Sequence, residues 1–231
     1  MQISEIFYSI QGEGRRAGLP TVFIRTTGCN LRCSYCDSRY AYEGGEEMTI
    51  ESIISKINNY HCPQICITGG EPLLQKETLQ LITRLQQQKF EISLETNGSQ
   101  PLQNLTNKEH LLISMDLKTP SSTMQKHNLF ENIKHLTTTD QLKCIIGSKE
   151  DYQFAKKILK KYRPSCTVIF QPVWGFHSAS LAKWILSDHL PVCLGLQIHK
   201  IIWGSKTHKL KRLFFSTITN YLVIKCIVRW R

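Results

Sequence analysis

Short apolar, β-branched runs alternate with helix-period segments along this chain, and that alternation restricts the fold more than any other feature. TVFIRT (21–26), QICIT (64–68), FEISLET (90–96), HLLISMD (110–116), QLKCII (141–146), TVIFQP (167–172) and CLGLQIH (193–199) read as strands. Between them, Ile50, Ile53, Ile54 and Ile57 mark one face of a helix opening near Thr49. A second helix is expected over 73–88, with Leu74, Leu81, Ile82 and Leu85 turned inward. KEDYQFAKKILKKY (149–162) and SASLAKWILSD (178–188) read as two more, and 119–128 as the one unstructured stretch. Such an order implies parallel β/α units, an α/β class that both doubly wound and barrel-like sheets satisfy. Six strands run directly into a polar or glycine-rich motif: the cysteines after TVFIRT, then GGEP, ETNG, DLK, QPVW and QIHK. In a β/α barrel those C-terminal strand ends assemble the active site, so the motifs are expected to ring one pocket.

A chain of 231 residues fits one large domain. Its start, MQISEIFYSIQGEG, has neither a basic opening nor a long apolar run, which points to the reducing cytoplasm. Nine cysteines in that setting favour metal or redox chemistry over disulfides. The net charge of +11 suggests nucleic acid until its placement is considered, because seven basic and no acidic residues lie beyond Gly204. We therefore expect a core domain over 1–204 and a basic extension over 205–231, with no nucleic-acid partner for the core. The apolar part of the extension is broken by Ser216, Thr217, Thr219, Asn220 and Lys225, short of the roughly 20 apolar residues of a membrane span.

Three cysteines, Cys29, Cys33 and Cys36, crowd the loop after the first of these strands with the spacing C-x3-C-x2-C. Zinc would need a fourth ligand from Cys62, Cys66 or a histidine. A four-iron–four-sulfur cluster held by three thiolates would instead leave one iron open to a cofactor or substrate. The remaining cysteines, Cys62, Cys66, Cys144, Cys166, Cys193 and Cys226, lack ligand spacing and read as buried thiols.

The cysteine spacing, with Tyr35 before the last cysteine and TGGEP (68–72) one strand later, resembles the radical S-adenosylmethionine superfamily. EIFYSIQGEGRRAG, CDS, ETNGS and LQIHKIIWG extend the likeness over about residues 4–206, to the 7-carboxy-7-deazaguanine synthase family. That resemblance implies a partial TIM-like β/α barrel and a lyase reaction. The family converts 6-carboxy-5,6,7,8-tetrahydropterin to 7-carboxy-7-deazaguanine with loss of ammonia, on the route to queuosine and related 7-deazapurines. It also implies a 4Fe-4S cluster on Cys29, Cys33 and Cys36, S-adenosylmethionine, magnesium, a homodimer, and an electron donor such as a flavodoxin or ferredoxin.

A pterin presents alternating donors and acceptors plus a carboxylate. Gln11 and Glu13, in a turn that Gly12 and Gly14 let approach closely, suit that edge. Arg25 at a strand end suits the carboxylate, and Glu95 with Asn97 could complete the ring contacts. The resemblance adds Ile10, Thr68, Gln197 and His199 to the substrate pocket and places Ser38 as a magnesium ligand, whose hydroxyl is the hard oxygen that ion requires. Around S-adenosylmethionine it places Tyr35, Cys36, Asp37, Gly70, Asp116, Leu117, Lys118, Gln171, Pro172, Val173 and Trp174. Asp116-Leu117 departs from the family's usual serine-proline before the lysine, and the basic extension from its usual ending. Two other readings were weighed: another radical enzyme, such as a glycyl-radical activating enzyme, which has no use for SIQGEG or CDS, and a zinc-stabilised RNA-binding protein.

Overall fold

A computed structural model describes residues 1–105 and 109–204; the expected basic extension at 205–231 and Cys226 lie outside the described residues. One nine-stranded sheet carries the fold, in the order β3-β1-β2-β4-β5-β6-β7-β8-β9. It opens with β1 (Gln2–Ile10), β2 (Pro20–Thr26) and the short β3 (Glu46–Glu47), and β1 runs antiparallel to both neighbours. From β2 onward every pairing is parallel: β4 (Gln64–Gly69), β5 (Glu91–Thr96), β6 (Leu111–Leu117), β7 (Gln141–Ile146), β8 (Thr167–Pro172) and β9 (Cys193–Leu194).

Because the parallel strands follow one another in chain order, right-handed crossovers put their helices on a single face. A doubly wound sheet would need a reversal of strand order, which is absent here. The two end strands do not pair, so the sheet is the expected open, partial barrel. Helices α1 (Ile50–Asn58), α2 (Thr78–Gln87), α3 (Lys149–Tyr162) and α4 (Ser178–Ser187) cover the outer face, and α5 (Ile198–Trp203) follows β9. Thr49 and Ser148 cap α1 and α3 by accepting from Ser52 N–H and Asp151 N–H.

Alternation along the strands separates two environments. Ile24, Ile67, Leu94, Ile113, Leu142 and Phe170 are buried and join the helices in the main core. On the opposite face the same strands present Arg25, Thr68, Glu95, Asp116, Lys143 and Gln171 to a cavity. The sheet is thus apolar outward and polar inward.

Four expectations need correction. β1 was not foreseen as a strand; a register shift between Ile3 and Glu5 interrupts its alternation. The 73–88 helix is divided: a 3-10 turn at Pro72–Leu74 precedes α2, and Leu74 is exposed. Gln75 breaks it by taking an extended backbone while its Nε2 donates to Gln2 O and Thr27 O. The last strand stops at Leu194, because Ile198 N–H donates to Gly12 O and the chain turns into α5, placing His199 on a helix; Cys193 is exposed. Finally, 119–128 is ordered by short 3-10 turns, with Asn128 bridging Lys118 N and O and Thr119 Oγ1 donating to Ile145 O. No described helix is long and apolar enough to cross a membrane.

Candidate active site

The inner face of the sheet encloses a cavity of about 830 Å³. Of the residues assigned from the sequence to the substrate, the cofactor or a metal, all but Leu117 line it, while Gly14 of the turn does not. Leu117 alternates to the outer face between Asp116 and Lys118 and packs in the core.

At one end lies the cysteine loop. Cys29, Cys33 and Cys36 are free thiols, partly buried, and all three face the cavity. Gly28 N–H to Ala41 O (2.9 Å) and Cys36 N–H to Cys33 O (3.2 Å) shape the loop. Arg32 donates to Cys29 O and Leu31 O and stacks over Tyr42, fixing the outer side. Leu31 N–H (3.4 Å) and Asn97 Nδ2 (3.8 Å) donate to Cys29 Sγ, as hydrogen bonds to cluster-ligating sulfurs do. Burial pushes the Cys29 and Cys33 thiols up, with Lys118 opposing it, so their thiolates call for a cationic group between them. Among the described residues no three His, Cys, Asp or Glu side chains converge as a single metal ion requires. Three thiols spaced around one cavity end suit a larger multi-iron group better than zinc.

The TGGEP loop abuts this end for a backbone reason. Gly69 has φ +150°, and a Cβ there would strike Thr26, while one on Gly70 would strike Gly28 O. Gly70→Ala is therefore expected to cost about 1–3 kcal/mol and to loosen the cysteine loop. A lower thermal midpoint and lower iron retention on gel filtration would register it.

Glu71, fully buried, accepts from Leu73 N–H, Thr96 Oγ1 and Asn97 N–H, joining this loop to the end of β5. Burial outweighs those donors and pushes its carboxyl up to about 7. Because the folded value is raised, the stability Glu71 contributes is complete below about pH 4.5 and is lost as pH rises to about 7, on the order of 3 kcal/mol. Denaturant unfolding of the cluster-free protein across that range is expected to show this slope, and Glu71→Gln to flatten it.

A second part of the lining is polar. Gln11 is buried and its Oε1 accepts from Gly12 N–H, bracing the turn that presents Glu13. A Cβ on Gly12 would collide with the His199 ring, which explains the glycine directly. Gln197 Nε2 donates to Glu13 Oε1 at 2.7 Å, and Lys143 Nζ lies 3.0 Å from Glu13 Oε2. Lys143 also reaches Glu95 Oε2 (2.8 Å) and Asp116 Oδ1 (3.4 Å), while Asp116 Oδ2 pairs with Lys118 at 2.7 Å.

Burial favours a neutral Glu13, but the Lys143 ammonium and the hydrogen bond from Gln197 outweigh it and hold the carboxyl well below the usual range. Glu95 goes the other way: burial raises it despite Lys143, with Asp116 and Glu13 adding like charge. Burial lowers His199, with Glu13 opposing, which favours a neutral imidazole.

Arg25 also lines the cavity, bonded through Nε to Glu5 Oε1 at 2.8 Å and close to the Phe7 and Tyr40 rings. Ser38 Oγ donates to Asp37 Oδ1 at 3.1 Å, and Asp37 Oδ2 pairs with Lys200 of α5 at 2.6 Å. Sequence reasoning missed Lys143, Glu5, Glu71 and Lys200. Lys143 could have been found: it is a charge inside an apolar strand run, two residues after Gln141.

Comparison with known proteins gives a consistent result. The Radical SAM superfamily model matches residues 23–170. The 7-carboxy-7-deazaguanine synthase of Thermoplasma acidophilum is 37% identical over 88% of this chain and 98% of its own length. The enzymes of the same name from Chlorobaculum tepidum (40% identical; 88% of this chain, 94% of the relative) and Methanospirillum hungatei (39%; 87% and 85%) are equally similar. The crystal structure of QueE from Escherichia coli superposes with a TM-score of 0.72, covering 85% of this chain and 93% of that one, at 20% identity.

Proposed function

Since this chain belongs to the 7-carboxy-7-deazaguanine synthase family of the radical S-adenosylmethionine superfamily, we propose that its cavity binds 6-carboxy-5,6,7,8-tetrahydropterin beside the cofactor and forms 7-carboxy-7-deazaguanine, releasing ammonia. One observation carries this reading: three thiols and a wall of hydrogen-bonding carboxylates line the same cavity. The fit of both groups to their ligands can be argued from the residues themselves.

Cys29, Cys33 and Cys36 would hold the 4Fe-4S cluster. Gly70, Tyr35, Asp37, Asp116, Lys118 and the Gln171–Trp174 segment would bind S-adenosylmethionine. When bound, the cluster and S-adenosylmethionine supply the radical that starts the reaction; the hard chemistry is theirs. The protein's part is to bind, orient and exclude water. Ionised Glu13 is acceptor-only, which matches a pterin's adjacent amino and imide N–H groups. Gln11 stiffens its turn, and neutral His199 packs against Gly12. Arg25, held by Glu5, offers a permanent cation for the substrate carboxylate. Ile10, Thr68, Asn97 and Gln197 complete the substrate's surroundings.

Magnesium on Ser38 belongs to the same proposal. The hydroxyl lines the cavity beside Asp37, so a hard cation there would meet oxygen ligands and the substrate carboxylate. A homodimer, a cytoplasmic setting for residues 1–204 acting as one core domain, and a flavodoxin- or ferredoxin-type donor complete the reading.

The test is an anaerobic assay with reductant, S-adenosylmethionine, magnesium and 6-carboxytetrahydropterin. Formation of 7-carboxy-7-deazaguanine, falling when magnesium is withheld, is expected. Cofactor cleavage without that product would refute the substrate assignment and keep the superfamily.

A further inference from the structure

Lys143 is the residue through which the polar wall is organised. It is 5% exposed, in mid-strand on β7, and pairs in register with Asp116 of β6. Its ammonium reaches three carboxylates from three other segments: Glu95 of β5, Asp116 of β6, and Glu13 from the turn after β1. It bonds Glu95 at 2.8 Å and Glu13 at 3.0 Å, while Asp116 Oδ1, at 3.4 Å, is held by charge alone and takes no hydrogen bond.

A buried cluster of this kind is a costly way to stabilise a fold, because apolar residues of similar volume often do as well or better. The charges are also unbalanced: three carboxylates face Lys143 and Lys118, so the wall has acceptor capacity beyond what the protein's own cations take up. Ser114 and Lys143 both bond Glu95 through Oε2, so its other oxygen takes no part in either bond. A ligand rich in N–H donors complements such a wall.

Resting on the substrate reading above, we propose that Lys143 is a positioning residue that fixes Glu13 and Glu95 as paired acceptors for the pterin's N–H edge. It acts through these carboxylates.

The test is anaerobic calorimetric titration of 6-carboxytetrahydropterin into reconstituted enzyme saturated with S-adenosylmethionine, at pH 6 to 8. Lys143→Met is expected to keep cluster absorbance but, at saturating S-adenosylmethionine, to weaken pterin binding about 30-fold or more. Lys143→Arg, which retains the cation, should recover most of that loss. Glu13 also faces His199, Gln171 and Gln197, and Glu95 faces Asp116. Without the lysine, Glu95, whose carboxyl burial already raises, loses the cation that opposes burial, so pterin affinity of Lys143→Met should fall more steeply than that of wild type as pH drops from 8 to 6. If Lys143→Met does not fold, Lys143→Gln serves in its place. Affinity within about threefold of wild type and an unchanged pH profile would overturn the role. Failure of wild type itself to bind the pterin would overturn the substrate reading instead, and this inference with it.

Discussion

Cys33→Ala is expected to abolish reductive cleavage of S-adenosylmethionine, by about a thousandfold or more, and to drop reconstituted iron well below about four per chain. Cys33 shares the loop with Cys29 and Cys36, and the buried cysteines cannot replace it. Cys62 and Cys166 are in the main core, Cys144 lies on the sheet's outer face, and burial drives Cys66 up to about 12. Fold should survive, since the loop's backbone bonds to Ala41, Ser122 and Glu71 do not involve the sulfur. Iron analysis, visible absorbance and deoxyadenosine release measure this. Full iron with full cleavage would remove Cys33 from the cluster.

The second large effect falls in the polar part of the cavity. Glu13→Ala is expected to lower kcat/KM for the pterin by about 10²–10³, or about 2.7–4 kcal/mol, while leaving iron content and pterin-independent cofactor cleavage intact. Its carboxylate is fixed from two sides, by Gln197 and by Lys143, so truncation leaves a buried cation with one partner fewer as well as an unread substrate edge. Glu13→Gln keeps the shape but introduces an N–H where the ligand's own N–H must point, so rescue should be slight. The pair Cys33→Ala and Glu13→Ala therefore separates radical generation from substrate recognition: the first loses both activities, the second only one.

Much of this was readable in advance. The positions of α3 and β8 follow directly from KEDYQFAKKILKKY and TVIFQP, because capping by Ser148 and β-branched content agree with the tertiary fold. Strand-end motifs located the cavity because a barrel gathers those ends. What was not readable came from pairings between distant segments. Glu5 became visible only when β1 placed it opposite Arg25, and Lys200 only when α5 folded back on Asp37. Leu74 was misread because periodicity could not register that Gln75 bonds two backbone carbonyls near β1 and β2. Lys143 is hidden for a different reason: the apolar content that marks QLKCII as a strand lies on its outer face, while Lys143 alternates to the inner one.

Helix α5 bears on how the protein can be handled. Through Gln197, at its N-terminal end, and Lys200 it bonds both Glu13 and Asp37, and Ile198 N–H holds the Gly12 turn. Gly204 is its very next residue, so a truncation or fusion made directly after it falls within two turns of helix of residues that bond both Glu13 and Asp37. The amino terminus is tethered as well, since the Met1 ammonium donates to Met48 O at 2.8 Å. A purification handle on the amino terminus thus becomes an experimental variable, and removable tags with activity measured before and after cleavage are the appropriate design.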